Sequence, residues 1–386
     1  MSKFIWSIVN DSYYNINMII GIPKEIKAHE YRVGLTPQGT KTLVKAGHQV
    51  IVQTGAGNGV SFSDNDYQQA GANIANSAES VFTQADMIIK VKEPQPKECK
   101  LLNKNQVLFT YLHLAADPKQ AELLLASGAT CIAYETITDG SGHLPLLQPM
   151  SEIAGRMSVQ SGAHHLEKTQ GGSGVLLSGA TGVEAAQVLV LGGGVVGMNA
   201  AKVALGMGAQ VTILNRSLSK RLADFQQIYG SQLTVDLSSQ ATIEQRLKTA
   251  DLIVGAALVT GASAPKLITR DMLKLIKKGS VLVDVSIDQG GCFETSKVTT
   301  HDKPTYVVDG IIHYCVGNMP GAVAQTATLA LTNATLPYIR KLASQGYKKA
   351  MQEDVNLLNG LNIFQGKVTH HAVAESLGYQ YSSITF

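Results

Sequence analysis

Six consecutive residues, Gly192-Gly193-Gly194-Val195-Val196-Gly197, carry the clearest chemical signature in the chain. They fit G-x-G-x-x-G, directly after the apolar run Gln187–Leu191 and directly before the helical run Met198–Leu205. Gly192 permits a tight turn, Gly194 leaves backbone N–H groups open to a pyrophosphate, and Gly197 lets helix and strand pack closely. The phosphates then sit on the helix N-terminus, where unpaired N–H groups point outward. With strand, helix and a second strand in the required order, the motif predicts dinucleotide binding. That second strand ends at Asn215-Arg216, where an NAD site usually has an acidic residue accepting from the ribose 2′-OH. Asn215 still accepts a hydrogen bond but does not repel a 2′-phosphate, and Arg216 either pairs with one or points into solvent. NAD is the expected cofactor, with NADP as the alternative.

Other reactive side chains stand at the ends of apolar runs. Lys92 follows Met87–Val91, and Asp288 follows Val281–Val285 and precedes two glycines. His113 interrupts the run Val107–Leu114, which reads as a strand over 106–112; an imidazole titrates near neutrality and suits proton transfer. The four cysteines (Cys99, Cys131, Cys292, Cys315) are far apart and form no C-x-x-C pair, so neither a zinc site nor a disulfide framework is expected. The pairs His164-His165 and His370-His371 show no metal-ligand pattern, and no metal is expected.

The elements that must position these groups read as two βα series. A length of 386 residues implies two domains, and 45% hydrophobic with 16% charged residues implies well-buried globular ones. The first series has strands at 18–22, 48–53, 86–91, 106–112 and 130–134, with a helix after Thr36-Pro37. A helix is predicted over 149–168, and then a Gly-rich loop at 171–174. The second series has strands at 187–191, 210–214, 251–254 and 280–285, and one long helix over 322–342. Lys45–Gln53 and Met207–Leu214 resemble each other, as an αβ junction common to such folds or as the trace of a duplicated domain. A net charge of +3 without basic blocks excludes a nucleic-acid partner. No apolar run reaches the ~20 residues that cross a bilayer. Residues 1–17 read as an extension, with Met18 opening the first strand.

The motifs Gly21-Ile-Pro-Lys-Glu25, Tyr31-Arg-Val-Gly-Leu-Thr-Pro37, Val91-Lys-Glu-Pro94, Tyr111-Leu-His-Leu-Ala115, Ala133-Tyr-Glu-Thr136, Pro149-Met-Ser-Glu152, Asp288-Gln-Gly-Gly-Cys-Phe-Glu294 and Asn318-Met-Pro320 run through almost the whole chain. On these the chain resembles the alanine dehydrogenase and pyridine nucleotide transhydrogenase family. The resemblance implies an α/β fold of two Rossmann-like domains, each a mostly parallel sheet flanked by helices, separated by a cleft. A discontinuous substrate domain (1–146 and 325–386) would enclose a dinucleotide domain (147–324), with helices near 151–168 and 322–342 joining them. It further implies a cytoplasmic homohexamer that reversibly deaminates L-alanine to pyruvate and ammonia with NAD.

By the same resemblance, Arg32 and Lys92 would hold the substrate carboxylate, and His113 and Asp288 would carry protons. Ser151, Val195, Val196, Lys220, Ser238, Ala257, Leu258, Ile287, Asp288, Lys297, Val316, Asn318 and Met319 would join Gly192, Gly194, Gly197, Asn215 and Arg216 around the cofactor. The chain departs from the family at Asn215 (usually Asp), Gly317 and Ser286 (commonly Ala), and in the proline-free loop 179–184. Three rivals are a hydride exchanger that deaminates nothing, a non-catalytic nucleotide-binding regulator, and a related amino-acid dehydrogenase for a larger substrate. The first needs no amino-acid pocket, and the second predicts loss of His113 or Asp288; Arg32, Lys92, His113 and Asp288 are all present.

Overall fold

The computed structural model describes residues 17–257 and 264–386. Nearly all of the extension and Leu258 lie outside the described residues. The chain divides into two units, one running to Leu146 and resuming at Thr328–Phe386, the other being Leu147–Ala327.

In the first unit, β1 (Ile19–Ile22), β2 (Gln49–Gln53), β3 (Asn73–Ala75), β4 (Met87–Ile89), β5 (Val107–Thr110) and β6 (Thr130–Ala133) are followed in the sheet by the late strands Leu361–Phe364 and Lys367–Val368. The central order is β6-β5-β4-β1-β2-β3, all parallel, and the two late strands add on antiparallel beyond β6. In the second unit, β7 (Gln187–Leu191), β8 (Gln210–Asn215), β9 (Leu233–Leu237), β10 (Leu252–Gly255) and β11 (Val281–Asp284) are followed by the hairpin β12 (Thr305–Val308) and β13 (Ile311–Tyr314). Its order is β12-β13-β11-β10-β7-β8-β9, with only the β12–β13 pair antiparallel.

Each sheet therefore contains the strand order 3-2-1-4-5-6 of a Rossmann fold, with a switch point where the chain reverses direction: β1/β4 in one, β7/β10 in the other. Central strands such as Met87–Ile89, Val107–Thr110 and Leu252–Gly255 are buried at every position, as helices on both faces require. The two mutually similar segments end in β2 and β8, which hold equivalent places beside the first strand of each sheet.

Local chemistry sets the helices. Thr36 caps the helix Pro37–Lys45 by accepting from the Gly39 N–H at 3.1 Å, and Pro37 supplies the preset φ of a first turn. The helix Gln148–His165 packs on Val195–Gly206 through Gly155, where a Cβ would stand 2.2 Å from the Val196 carbonyl oxygen. The helix expected over 322–342 is instead a 3₁₀ turn, Met319–Val323, and then Ala324–Gln345 with Pro337 inside it.

Three strand expectations run too long. The apolar runs at 86–91 and 106–112 form strands only over Met87–Ile89 and Val107–Thr110. His113 is thus not a strand residue; it lies beyond β5, with φ 49°. The run 280–285 shortens to Val281–Asp284. Strands β3, β9, β12 and β13 and the two late strands were not expected.

The close approach at Gly155 generates a prediction. Gly155→Ala must push the Val195–Gly206 helix aside, so it should cost about 1–3 kcal/mol and weaken NADH binding. Thermal unfolding and NADH titration check this; an unchanged melting point with unchanged affinity would refute it.

Candidate active site

In the second unit, the glycine loop leaves β7 at the switch point. Gly192 has φ 112°, and a Cβ there would stand 2.6 Å from the Ala256 carbonyl oxygen at the end of β10. Gly197 is tighter still, with a Cβ position 1.8 Å from the Gly192 oxygen. Gly194, just before the helix, faces open space. These are the three demands of a pyrophosphate cradle: a turn, a packed helix, and an uncovered stretch of backbone at a helix N-terminus. The residues fit a dinucleotide.

Asn215 does something the sequence reading did not foresee. Its Oδ1 accepts from the Gly193 N–H at 2.9 Å, and its Nδ2 donates to the Ser217 carbonyl at 2.7 Å. The side chain thus ties the end of β8 to the glycine loop. Arg216 and Lys220 are exposed, and neither makes a hydrogen bond or ion pair among the described residues. Lys220 also lines, with Lys202 and Arg221, a hollow of about 590 Å³ between the helices Val195–Gly206 and Lys220–Tyr229.

Asp288 sits in the short 3₁₀ turn Ile287–Gln289 after β11 and is exposed. Its loop is folded around Asp284, whose buried carboxylate accepts from the N–H groups of Ser286 (3.1 Å), Cys292 (2.8 Å) and Phe293 (3.4 Å) and from Ser296 Oγ (2.5 Å). Burial raises the Asp284 pKa, although these donors pull it down. Lys266 Nζ caps the carbonyls of Gly290, Gly291 and Phe293 from the other side. Ser286 Oγ donates to the Ala257 carbonyl at 2.7 Å, which joins this loop to the one after β10. A Cβ on Gly317 would lie 3.0 Å from Asp288 Oδ1, so this glycine gives the carboxylate room. Ile287, Val316 and Met319 are buried, while Asn318 adopts φ 65°. Ser238 N–H donates to the Asn215 carbonyl at 2.9 Å, and Lys297 is exposed. Ser151 lies half-buried on the helix Gln148–His165.

In the first unit, Arg32, Lys92 and His113 lie on loops after β1, β4 and β5, the strands around the switch point. Arg32 is buried. Its Nε and Nη2 donate to the two oxygens of Glu30 at 2.6 and 2.5 Å, so that edge of the guanidinium is already engaged. Burial would raise the Glu30 pKa, but bonding to Arg32 and the nearby Lys92 charge hold it below the usual carboxylate range. Arg32 stays above its ordinary value despite burial, because Glu30 faces it.

The backbone of Lys92 is held by a buried carboxylate. Glu25 Oε1 accepts from Val91 N–H at 2.6 Å and Lys92 N–H at 3.4 Å, while its Oε2 accepts from Lys90 Nζ at 3.0 Å. Lys90 also reaches Glu98 at 2.8 Å, and all three groups are buried. Thr110 Oγ1 donates to the Lys92 carbonyl at 2.9 Å. The Lys92 ammonium is half-buried and has no ion-pair partner among the described residues. His113 is held by Glu135, which accepts its N–H at 2.6 Å, and its ring stacks on Tyr111 at 5.7 Å.

The structure thus places Arg32, Lys92 and His113 beyond the carboxyl ends of β1, β4 and β5 in the first unit, and the glycine loop, Asn215, Ala257, Ile287 and Asp288 at the carboxyl ends of β7, β8, β10 and β11 in the second. Glu25, Glu30, Glu135, Asp284 and Gly155 were missed. The available signal was position: Glu25 and Glu135 lie inside motifs already singled out, and Asp284 ends an apolar run. Among the described residues no cluster of His, Cys, Asp or Glu could hold a metal ion.

Two Rossmann sheets, one with a dinucleotide cradle and the other with Arg32, Lys92 and His113 on the loops after its central strands, are the architecture of a two-domain dinucleotide-dependent dehydrogenase. The chain matches the alanine dehydrogenase/PNT N-terminal domain over residues 21–154 and the corresponding C-terminal domain over 158–371. It is 58% identical over 364 residues to an alanine dehydrogenase of Halomonas elongata, covering 94% of this chain and 98% of that one. It is 51% identical over 365 residues to an alanine dehydrogenase of Bacillus subtilis, covering 94% and 96%. A solved L-alanine dehydrogenase superposes with a TM-score of 0.90 at 51% identity, covering 94% and 99%. The transhydrogenase from Sinorhizobium meliloti gives 0.79 at 25% identity, covering 91% and 100%. The chain belongs to the alanine dehydrogenase/PNT family.

The buried ion triad gives a prediction. Lys90→Met leaves Glu25 and Glu98 facing each other in the core, which should cost about 3–5 kcal/mol. Urea unfolding measures it, and an unshifted midpoint would mean the triad contributes nothing to stability.

Proposed function

We propose that this chain catalyses the reversible NAD-dependent oxidative deamination of L-alanine to pyruvate and ammonia. The observation that carries the reading is the cluster of Arg32, Lys92 and His113 at one sheet's switch point. Hydride exchange between two nucleotides needs no carboxylate-binding cations there. The backbone of Gly192–Gly197, the helix N-terminus behind it, Ala257 and the loop after β11 would hold the cofactor. Bound there, it would supply the acceptor for the hydride that leaves Cα of alanine.

Arg32 and Lys92 hold the alanine carboxylate. Lys92 brings an ammonium that has no ion-pair partner among the described residues, and Arg32 brings a guanidinium fixed in place by Glu30. Loss of the Cα hydride leaves an iminium, to which water adds at carbon. His113 and Asp288 carry the protons of that addition and of the collapse to pyruvate and ammonia. The chain is further proposed to act as a cytoplasmic homohexamer, which its solution mass tests. No helix among the described residues is long and apolar enough to cross a membrane.

NAD is preferred in this proposal, and NADP is rejected less strongly than an acidic residue at position 215 would reject it. Asn215 is neutral, and Arg216 and Lys220 are exposed cations whose side chains have no partner among the described residues. An Asp at 215 would set a carboxylate against the Ser217 carbonyl to which Asn215 now donates.

Kinetics test these assignments. His113→Ala and Asp288→Ala should each lower kcat by ~10²–10⁴-fold with NADH binding retained; a variant that keeps half its kcat has been given the wrong role. Arg32→Ala would strand Glu30, so Arg32→Lys is the cleaner probe. It should raise KM for alanine and pyruvate while leaving KM for the cofactor alone. For the cofactor, Asn215→Asp should lower kcat/KM with NADP more than with NAD. If the wild type already discriminates as strongly as the variant, position 215 does not set the preference.

A further inference from the structure

His113 stands in a backbone conformation that a histidine rarely adopts, φ 49° and ψ 37°. Such a residue persists only where its surroundings over-determine it. Here one carboxylate does so. Glu135, in the turn Tyr134–Thr136 after β6, accepts the His113 N–H at 2.6 Å. It also accepts the Leu112 N–H, at 3.1 Å to Oε1 and 3.2 Å to Oε2. The same Oε1 lies 3.9 Å from His113 Nδ1.

The ring is fixed from a second side. Tyr111 lies parallel to the imidazole, at 5.7 Å between centroids and 5° between planes. Tyr111 is itself locked by its hydroxyl, which donates to the Leu146 carbonyl at 2.6 Å, and by an edge contact with Tyr134 at 5.0 Å. Glu135 and Tyr134 are adjacent, so the end of β6 holds both the backbone and the ring of the residue at the end of β5.

We propose that Glu135 is the positioning residue of the acid–base histidine: by holding two consecutive N–H groups in the left-handed turn, it sets the direction in which the His113 imidazole projects. Glu135 need not touch substrate. The proposal rests on the reading of His113 as the proton carrier. His370 is a second imidazole that feels the Glu135 charge.

The test is a double-mutant cycle in the full chain, read by steady-state kinetics of alanine oxidation and by NADH titration. Glu135→Ala should lower kcat about 10²-fold, as a misplaced catalytic group does, with NADH affinity unchanged. Glu135→Gln keeps an oxygen that can accept both N–H groups and should recover most of that loss. Once His113 is replaced by Ala, adding Glu135→Ala should cost nothing more, because the two act as a unit. The Glu135→Ala loss should persist in a His370→Ala background.

A Glu135→Ala enzyme with near-normal kcat, beside an inactive His113→Ala enzyme, overturns the positioning proposal and leaves His113 in its role. A normal His113→Ala enzyme overturns the reading of His113 itself. An equal loss from Glu135→Ala with and without His113 shows a general structural role and overturns the proposal. So does a Glu135→Gln variant as slow as Glu135→Ala, or a loss that vanishes without His370.

Discussion

A parallel sheet ends in backbone N–H groups that its own ladder no longer satisfies, and buried ones must find acceptors. This constraint shapes the loops after β4, β5 and β11, and in each of them a carboxylate meets it. Glu25 accepts the N–H groups of Val91 and Lys92, Glu135 those of Leu112 and His113, and Asp284 those of Ser286, Cys292 and Phe293. A carboxylate offers two oxygens and about four lone-pair sites, so one side chain can gather several turns of backbone. It also brings a charge that has to be balanced. Where the balance comes from separates the structural carboxylates from those beside the chemistry.

Glu25 is balanced by Lys90, which it shares with Glu98 in a buried triad. Glu30 is balanced by Arg32. In this corner of the first unit, three carboxylates face Lys90, Arg32 and Lys92. Lys90 is consumed by the protein's own acids, and Arg32 commits one edge of its guanidinium to Glu30. Lys92 is held through its backbone while its ammonium stays without an ion-pair partner among the described residues. Two lysines only two positions apart thus have opposite fates. Lys90 neutralises the core, and Lys92 presents a charge that a small anionic substrate can answer.

The backbone-level features of this protein are legible in its sequence. Gly192 and Gly197 occupy places where any Cβ would strike a carbonyl oxygen, and that demand leaves a spaced glycine pattern. Strands such as Gln187–Leu191, buried from Val188 onward, leave continuous apolar runs. Strand β3 has three residues, and β9 and β12 are half-exposed, so none of them leaves such a run. The apolar run 107–114 misleads because burial continues past Thr110 after the ladder ends: Tyr111, Leu112 and Leu114 remain buried beside an exposed His113. A carboxylate that accepts backbone N–H groups has no period at all, which is why Glu135 and Asp284 are visible only in three dimensions.

Asn215 shows how a departure at one position can be absorbed. An acidic residue in this place would accept the Gly193 N–H as Asn215 does, yet it has no donor for the Ser217 carbonyl. The amide is matched to the turn that follows β8, and this turn leads into Arg216 and then Lys220, both exposed. Charge at 215, turn geometry and the neighbouring cations are therefore one linked feature rather than three. Changing the residue alone alters the electrostatics seen by a ribose or its phosphate and also strains the strand end that anchors the glycine loop. Cofactor preference and cofactor affinity should for that reason move together at this position, whereas at Arg216, whose side chain has no bonding partner among the described residues, charge can be changed without disturbing the loop.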